Sequence, residues 1–150
     1  MVGRTANKHF AAGIDDYAER IGHYMPFTLT VIPELKNTKK LSEEQQKQAE
    51  GELILKLLQP QDTVVLLDEH GQELRSVELA RWLERKQATA RRLVFVIGGP
   101  YGFSPEVYAR ANEQLSLSRL TFSHQMVRLV FTEQIYRACT IIKGEPYHHE

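Results

Sequence analysis

The chain has 150 residues, of which 42% are hydrophobic and 25% are charged, with 19 basic and 19 acidic side chains. This composition fits one globular domain over residues 1–150 and excludes disordered, collagen-like and coiled-coil chains. A net charge of zero argues against a protein that holds nucleic acid mainly through its phosphates. No apolar stretch approaches the ~20 residues of a membrane span, and no signal peptide is visible, so we expect a cytoplasmic protein.

Hydrophobic periodicity divides the first 91 residues into alternating helices and strands. Apolar residues at helical spacing predict helices, whereas alternating or continuous short apolar runs predict strands. Ser42 followed by Gln45 is the capping-box pattern that opens a helix, and we interpret Ser76 as the N-cap of another. The predicted elements are a helix over Asn7–Tyr24, a strand over Thr28–Ile32, a helix from Ser42 to Leu58, a strand over Thr63–Asp68 with its exit loop Glu69–Gln72, and a helix from Ser76 to Lys86.

The next stretch holds the most apolar run of the chain, Leu93–Ile97, which ends abruptly in the glycine-rich turn Gly98–Gly102. This pattern is typical of a strand buried on both faces that opens into a loop. In open α/β sheets ligands lie at that edge, where loops supply backbone N–H groups and helix N-termini. The elements predicted beyond it are a short helix opened by Ser104 and Pro105, a strand over residues 115–122, and a long helix from about His124 to Lys143.

The alternation of strands and helices predicts an α/β fold with a mostly parallel sheet flanked by helices. The glycine-rich turn alone fits a plain turn as well as a ligand site. It lacks the G-x-G-x-x-G spacing of dinucleotide sites and the Gly-Lys-Ser/Thr of phosphate-binding loops, which favours a ligand without phosphates. His148 and His149 are adjacent, but no further carboxylate or cysteine pattern supports a metal site.

Three motifs together resemble the SPOUT methyltransferases, and within them the ribosomal large-subunit pseudouridine-N3 methyltransferase family (RlmH). The motifs are IGGPYGFSPEV from Ile97, LSLSRLTFSHQMVR from Leu115, and the C-terminal Tyr147-His148; the resemblance runs from Gly3 to Glu150. It implies a SPOUT-type α/β knot, in which a deep C-terminal trefoil knot holds S-adenosylmethionine. It also implies that the family's first strand is truncated here to Val2 and Gly3.

The same resemblance implies a homodimer that methylates N3 of the pseudouridine in the helix 69 loop of 23S rRNA, in the assembled ribosome. By position, the implied cofactor-binding residues are Leu67, Gly98, Leu117, Ser118, Arg119, Leu120, Thr121 and Phe122. The candidate catalytic residues are His124 and Arg128, spaced as one helical turn, with Tyr147 and His148 of the tail. An arginine near a helix start favours anionic density such as phosphate. His149 stands where the family usually has Arg or Lys.

Two other functions stay open from the residues alone. One is a SPOUT methyltransferase with another RNA target, such as tRNA or a ribose 2′-OH. The other is a non-catalytic α/β dimer that binds a nucleotide-like ligand, which transfer of a labelled methyl group would distinguish from an enzyme. The homodimer is also favoured by the final helix, because Met126, Leu129 and Tyr136 lie beyond its main apolar stripe.

Overall fold

A computed structural model describes all residues of the chain, 1–150, as nine elements. They are helix α1 (Lys8–Gly22), a short 3-10 turn (Thr38–Lys40), α2 (Glu43–Leu57), β1 (Thr63–Glu73), α3 (Ser76–Thr89), β2 (Leu93–Val96), α4 (Pro105–Arg110), β3 (Glu113–Ser116) and α5 (Met126–Lys143). No helix combines the length and the apolar character needed to cross a membrane.

The three strands form one parallel sheet in the order β2-β1-β3, with Leu66 opposite Val96 and Leu67 opposite Leu115. Successive side chains of a strand point to opposite faces, so each strand supplies two cores. Val64 and Leu66 of β1 pack with residues of α2 and α4 on one face. Val65 packs with α3 and Ala138 of α5 on the other. The predicted parallel α/β sheet between helical layers is confirmed.

Local chemistry sets the starts of the helices. The Asn7 side chain accepts hydrogen bonds from the backbone of His9 and Phe10 at the start of α1. At α2 both bonds of the predicted capping box are present, 3.1 Å from the Gln45 N–H to Ser42 Oγ and 2.9 Å from the Ser42 N–H to Gln45 Oε1. These bonds satisfy N–H groups that have no partner inside the helix.

Several predicted boundaries were wrong. The segment Glu69–Gln72 continues β1 instead of forming a loop, with a register shift between Leu67 and Gln72. Gly71 allows this course, because a Cβ there would lie 2.7 Å from backbone atoms of β3. Ser76 is the first residue of α3 and Arg75 is its N-cap.

The strand predicted over residues 115–122 ends at Ser116. Hydroxyl groups compete with the ladder beyond that point, because Ser116 Oγ donates to the Ser118 carbonyl and the Leu120 N–H donates to Ser118 Oγ, both at 2.9 Å. The alternation of apolar and polar residues therefore describes an irregular loop.

The strand predicted over Thr28–Ile32 is reduced to a single bridge between Ile32 and Val2. Ile32 exchanges 2.8 Å bonds with Met1 and Gly3, and the Val2 N–H donates to the Ile97 carbonyl at 3.1 Å. The Met1 amine adds a 2.9 Å bond to the Thr30 carbonyl. A mostly apolar cleft of about 670 Å³ separates the remainder of the segment from the free edge of β2.

Candidate functional site

The parallel sheet brings the predicted cofactor segments to one edge. Parallel strands all end at the same side, so Leu67 on β1, Gly98 after β2 and Leu117 after β3 lie next to one another. Leu67 and Leu117 pack against the same apolar cluster, which contains Ile97 and Phe131. Three segments that are far apart in sequence therefore come to one edge of the sheet, the candidate crevice.

The glycine-rich turn is a tight backbone loop. Gly99 and Gly102 form an antiparallel bridge, in which the Gly102 N–H donates to the Gly99 carbonyl at 3.2 Å, and Gly102 has a φ of +82°. A Cβ on Gly98 would lie 3.0 Å from the ring of the buried Phe103. A side chain at Gly98 would therefore push the loop away from Phe103 instead of simply filling a ligand slot.

The loop after β3 exposes part of its predicted binding residues. Leu117, Ser118 and Phe122 are half-buried, whereas Arg119, Leu120 and Thr121 are exposed. Leu120 has 74% of its surface accessible. Arg119 Nε donates to Glu73 Oε1 at 2.9 Å, which ties the loop to the end of β1 and occupies its positive charge.

Asp68, directly after Leu67, is a carboxylate that sequence reasoning missed. It accepts hydrogen bonds from the Tyr108 hydroxyl and from the His70 N–H, the latter at 2.8 Å. Burial alone would raise the pKa of Asp68, but these donors outweigh it and the pKa is lowered. Burial and the same carboxylate raise the pKa of Tyr108 to about 12. At neutral pH the edge therefore holds an ionised Asp68 and a neutral tyrosine.

The predicted catalytic role of Arg128 does not agree with its position. Arg128 is fully buried and donates to the carbonyls of Val2 and Gly3, at 2.5 and 2.8 Å, and to Thr5 Oγ1 at 3.0 Å. Burial lowers the pKa of its guanidinium, and the charge of Glu34 opposes this. The group fastens the N-terminal segment to α5 and does not face an RNA phosphate.

His124 does not share a helix face with Arg128, because α5 begins only at Met126. Ser123 ends the preceding loop, where its Oγ accepts a 3.1 Å bond from the Met126 N–H. The His124 side chain is exposed and makes no hydrogen bond. It lies immediately after the loop of residues 117–122, free to contact a substrate.

The tail folds back on α5 and meets an ion pair that the sequence analysis did not identify. Glu133 Oε1 accepts a hydrogen bond of 2.6 Å from Arg137 and one of 3.0 Å from the Tyr147 hydroxyl. The Arg137 guanidinium also lies 4.9 Å from the centre of the Tyr147 ring. Burial, then hydrogen bonds with Tyr17 and Glu133, raise the pKa of Tyr147. The only sequence signal was the i, i+4 spacing of Glu133 and Arg137.

Arg137 also fixes the proton on His148. Its Nη1 lies 3.1 Å from His148 Nδ1, and a guanidinium can only donate, so Nδ1 accepts and the proton is on Nε2. That Nε2 is buried and has no hydrogen-bond partner. In this arrangement His148 is a hydrogen-bond donor without an acceptor.

The end of the tail approaches the crevice through the segment after β1. Arg75 lies 3.8 Å from a carboxylate oxygen of Glu150, and Glu73, two residues earlier, binds Arg119 of the loop after β3. No hydrogen bond or ion pair joins Tyr147 or His148 directly to the glycine-rich turn. The structure thus places the tail beside the edge of the sheet and His124 on the loop that borders it.

These residues fit a cationic ligand without phosphates. A Cβ on Gly98 or Gly99 would meet Phe103 or the Glu50 carboxylate respectively, so these two glycines pack closely on those side chains and offer only backbone groups to a ligand. Leu67 and Leu117 supply apolar surface. The one arginine of the loop after β3 is paired with Glu73, so no free cation opposes a positively charged ligand there. No group of three or more metal-ligating side chains occurs in the chain.

Comparison with known proteins finds similar sequences along the whole chain. Residues 1–148 match the family described as predicted SPOUT methyltransferases. Ribosomal RNA large subunit methyltransferase H of Phocaeicola vulgatus is 64% identical, covering 100% of this chain and 96% of the relative. The proteins of the same name from Bacteroides fragilis and Porphyromonas gingivalis (strain ATCC 33277) are 63% and 54% identical over the same shares. The resemblance found in the three sequence motifs is confirmed.

Proposed function

The chain belongs to the SPOUT methyltransferase family, and from this premise we propose that it transfers the methyl group of S-adenosylmethionine to 23S rRNA. The proposed acceptor is N3 of the pseudouridine in the helix 69 loop of the assembled ribosome. The observation that carries the proposal is the meeting of Leu67, the glycine-rich turn and the loop 117–122 at one sheet edge. The names of relatives at 53–64% identity supply the rRNA class.

Leu67, Gly98 and residues 117–122 are the proposed cofactor contacts. The bound cofactor supplies an electrophilic methyl group on a sulfonium, and the protein has to hold a nucleophile in line with it. Backbone groups of the glycine-rich turn and of the loop after β3 are suited to bind the polar edges of the ligand. We also infer that this loop and α5 thread as the trefoil knot of the family.

Pseudouridine N3 must lose its proton as the new N–C bond forms. His124 is the proposed base, because its imidazole is exposed and makes no hydrogen bond, and histidine is the side chain most often used for proton transfer. Tyr147 and His148 are the proposed substrate-side residues of the tail, which Glu133 and Arg137 hold in place.

Two copies of the chain form the proposed enzyme, and ribosomes place it in the cytoplasm. Part of the apolar surface expected to drive pairing is covered within one subunit, since Leu129 packs on Gly13 of α1 and Tyr136 on aromatic side chains. The dimer is supported by the apolar surface that one subunit leaves accessible. This surface includes the exposed Leu120 and the half-buried Met126, Val127 and Val130 near the start of α5. Sedimentation at micromolar concentration should give twice the 17.3 kDa of one chain; a monomer alone contradicts the dimer.

Methyl transfer from labelled S-adenosylmethionine tests the function directly. Intact ribosomes, naked 23S rRNA and tRNA are incubated with the protein, and the modified nucleotide is mapped by mass. A chain with no net charge has little general attraction for phosphates, so we expect far more transfer to intact ribosomes than to naked rRNA. Transfer only to tRNA would move the protein to another target, and no transfer to any RNA would reject the enzyme.

A further inference from the structure

Glu50 is a buried carboxylate without a cationic partner. It projects from α2, is 6% exposed, and accepts one recorded hydrogen bond, 3.2 Å from Gln46 Nε2 to its Oε1. None of the ion pairs of the protein includes it, whereas Asp68 and Glu73 at the same edge both have partners. Buried carboxylates are normally compensated by a cation or by several donors, so Glu50 retains an unmet preference for positive charge.

The carboxylate faces the glycine-rich turn. A Cβ on Gly99 would lie 3.0 Å from its Oε2 and 3.3 Å from its Oε1. The neighbouring Gly51 lets α2 approach this closely, since a Cβ there would lie 2.4 Å from Ser104 Oγ. Because Gly98 and Gly99 have no side chains, only the backbone of the turn separates the charge of Glu50 from a ligand bound in it.

We propose that Glu50 is the charge-selectivity residue of the crevice, which favours a cationic sulfonium ligand over the neutral thioether left after methyl transfer. This inference rests on the proposed cofactor. The two ligands, S-adenosylmethionine and S-adenosylhomocysteine, differ by one methyl group and one positive charge. Asp68, the other carboxylate at the edge, is already compensated by Tyr108 and His70. Glu50 therefore strengthens binding of the substrate form and weakens retention of the product.

Binding of the two ligands to three proteins provides the test. Calorimetry compares wild type with Glu50→Gln, which keeps the size and the bond to Gln46 but removes the charge, and with Glu52→Gln, an exposed carboxylate on the same helix. Two opposite unit charges ~12 Å apart, in a medium with an effective dielectric constant of ~20, attract each other enough to change the affinity for the charged ligand about tenfold. We expect Glu50→Gln to weaken S-adenosylmethionine about tenfold and S-adenosylhomocysteine less than twofold, with both unchanged in Glu52→Gln.

The outcomes separate this inference from the proposed function. Equal losses for both ligands, or no loss for either, would show that Glu50 acts structurally and would overturn the charge selectivity while leaving the cofactor assignment intact. Failure of the wild-type protein to bind either ligand would reject the cofactor itself, and the inference with it. Glu50→Met, neutral and similar in length, repeats the measurement if Glu50→Gln does not fold, and the same ratio is expected.

Discussion

At the scale of single residues, the role of Gly98 can be tested by giving it a side chain. Gly98→Val places atoms against Phe103, so the turn must move and its backbone can no longer bind the ligand. We expect cofactor affinity to fall at least about tenfold, an effect of about 1.4 kcal/mol, while the protein stays folded. Calorimetry and a thermal melt measure the two properties.

Gly22→Val is the matched control for that experiment. Gly22 ends α1, and a Cβ there meets nothing within 4 Å. It should leave cofactor affinity unchanged. If Gly98→Val binds as tightly as this control, the glycine-rich turn is not part of the cofactor site.

Arg128 is expected to matter for stability. Arg128→Met leaves buried carbonyls of Val2 and Gly3 without donors, and each lost partner costs about 1–3 kcal/mol. We expect the free energy of unfolding in urea to fall by about 3 kcal/mol. Arg119→Met, whose side chain is 89% exposed, should change it by less than about 1 kcal/mol. Equal losses of unfolding free energy in the two variants would contradict a stabilising role of the buried Arg128 side chain.

At the scale of elements, the free edge of β2 offers a site for another strand. Val2 already donates to Ile97, and the cleft of about 670 Å³ continues along the edge. An engineered extension of five β-branched residues before Met1 should pair with Leu93–Val96 and raise the melting temperature by about 5 °C. A glycine-serine extension of equal length should not. Equal melting temperatures would mean that the cleft does not accept a strand.

A protein prepared to begin at Met1 has its terminal amine there, which should give it a different pH dependence of stability from the β-branched extension. Burial, then the charge of Arg128, lower the pKa of the Met1 ammonium from 8.0 to about 6. Between these values the unfolded chain binds more protons, so stability falls as the pH drops from 8 to 6. In the β-branched extension the Met1 nitrogen is part of a peptide bond and carries no charge. Between pH 8 and 6 we therefore expect the chain that begins at Met1 to lose roughly 2 kcal/mol more of its free energy of unfolding than the extended chain. Parallel pH profiles of the two proteins would contradict this.

The sequence predicted the elements whose signals are local. Ser42 and Gln45 lie three residues apart, so their capping box could be read directly. The strand ends depended on partners that no local pattern reveals, and Ser116 stops pairing although its sequence continues to alternate. Tyr147 meets Glu133 and Arg137 only because the tail reverses on α5. The spacing of Arg128 from His124 could not reveal that its guanidinium is buried against Val2 and Gly3.

At the scale of the whole molecule, the tail should contribute to the substrate side of the site. Removing Tyr147–Glu150 takes away the bonds to Glu133 and Arg137 but leaves the glycine-rich turn untouched. We therefore expect methylation of intact ribosomes to fall about a hundredfold, roughly 2.7 kcal/mol, with cofactor affinity changed less than threefold. Full activity of the shortened protein would remove the tail from the site.

The binding of the N-terminal segment by Arg128 also has a consequence for synthesis of the chain. Its hydrogen bonds to Gly3 and Val2 join residues 125 and 126 positions apart, and the Ala6 N–H binds Gln125 in the same way. Residues 2 and 3 therefore have no partner until Arg128 has been made. At ~5–20 residues per second this delay is on the order of ten seconds, during which one apolar face of the sheet lacks α5 and stays open to chaperones.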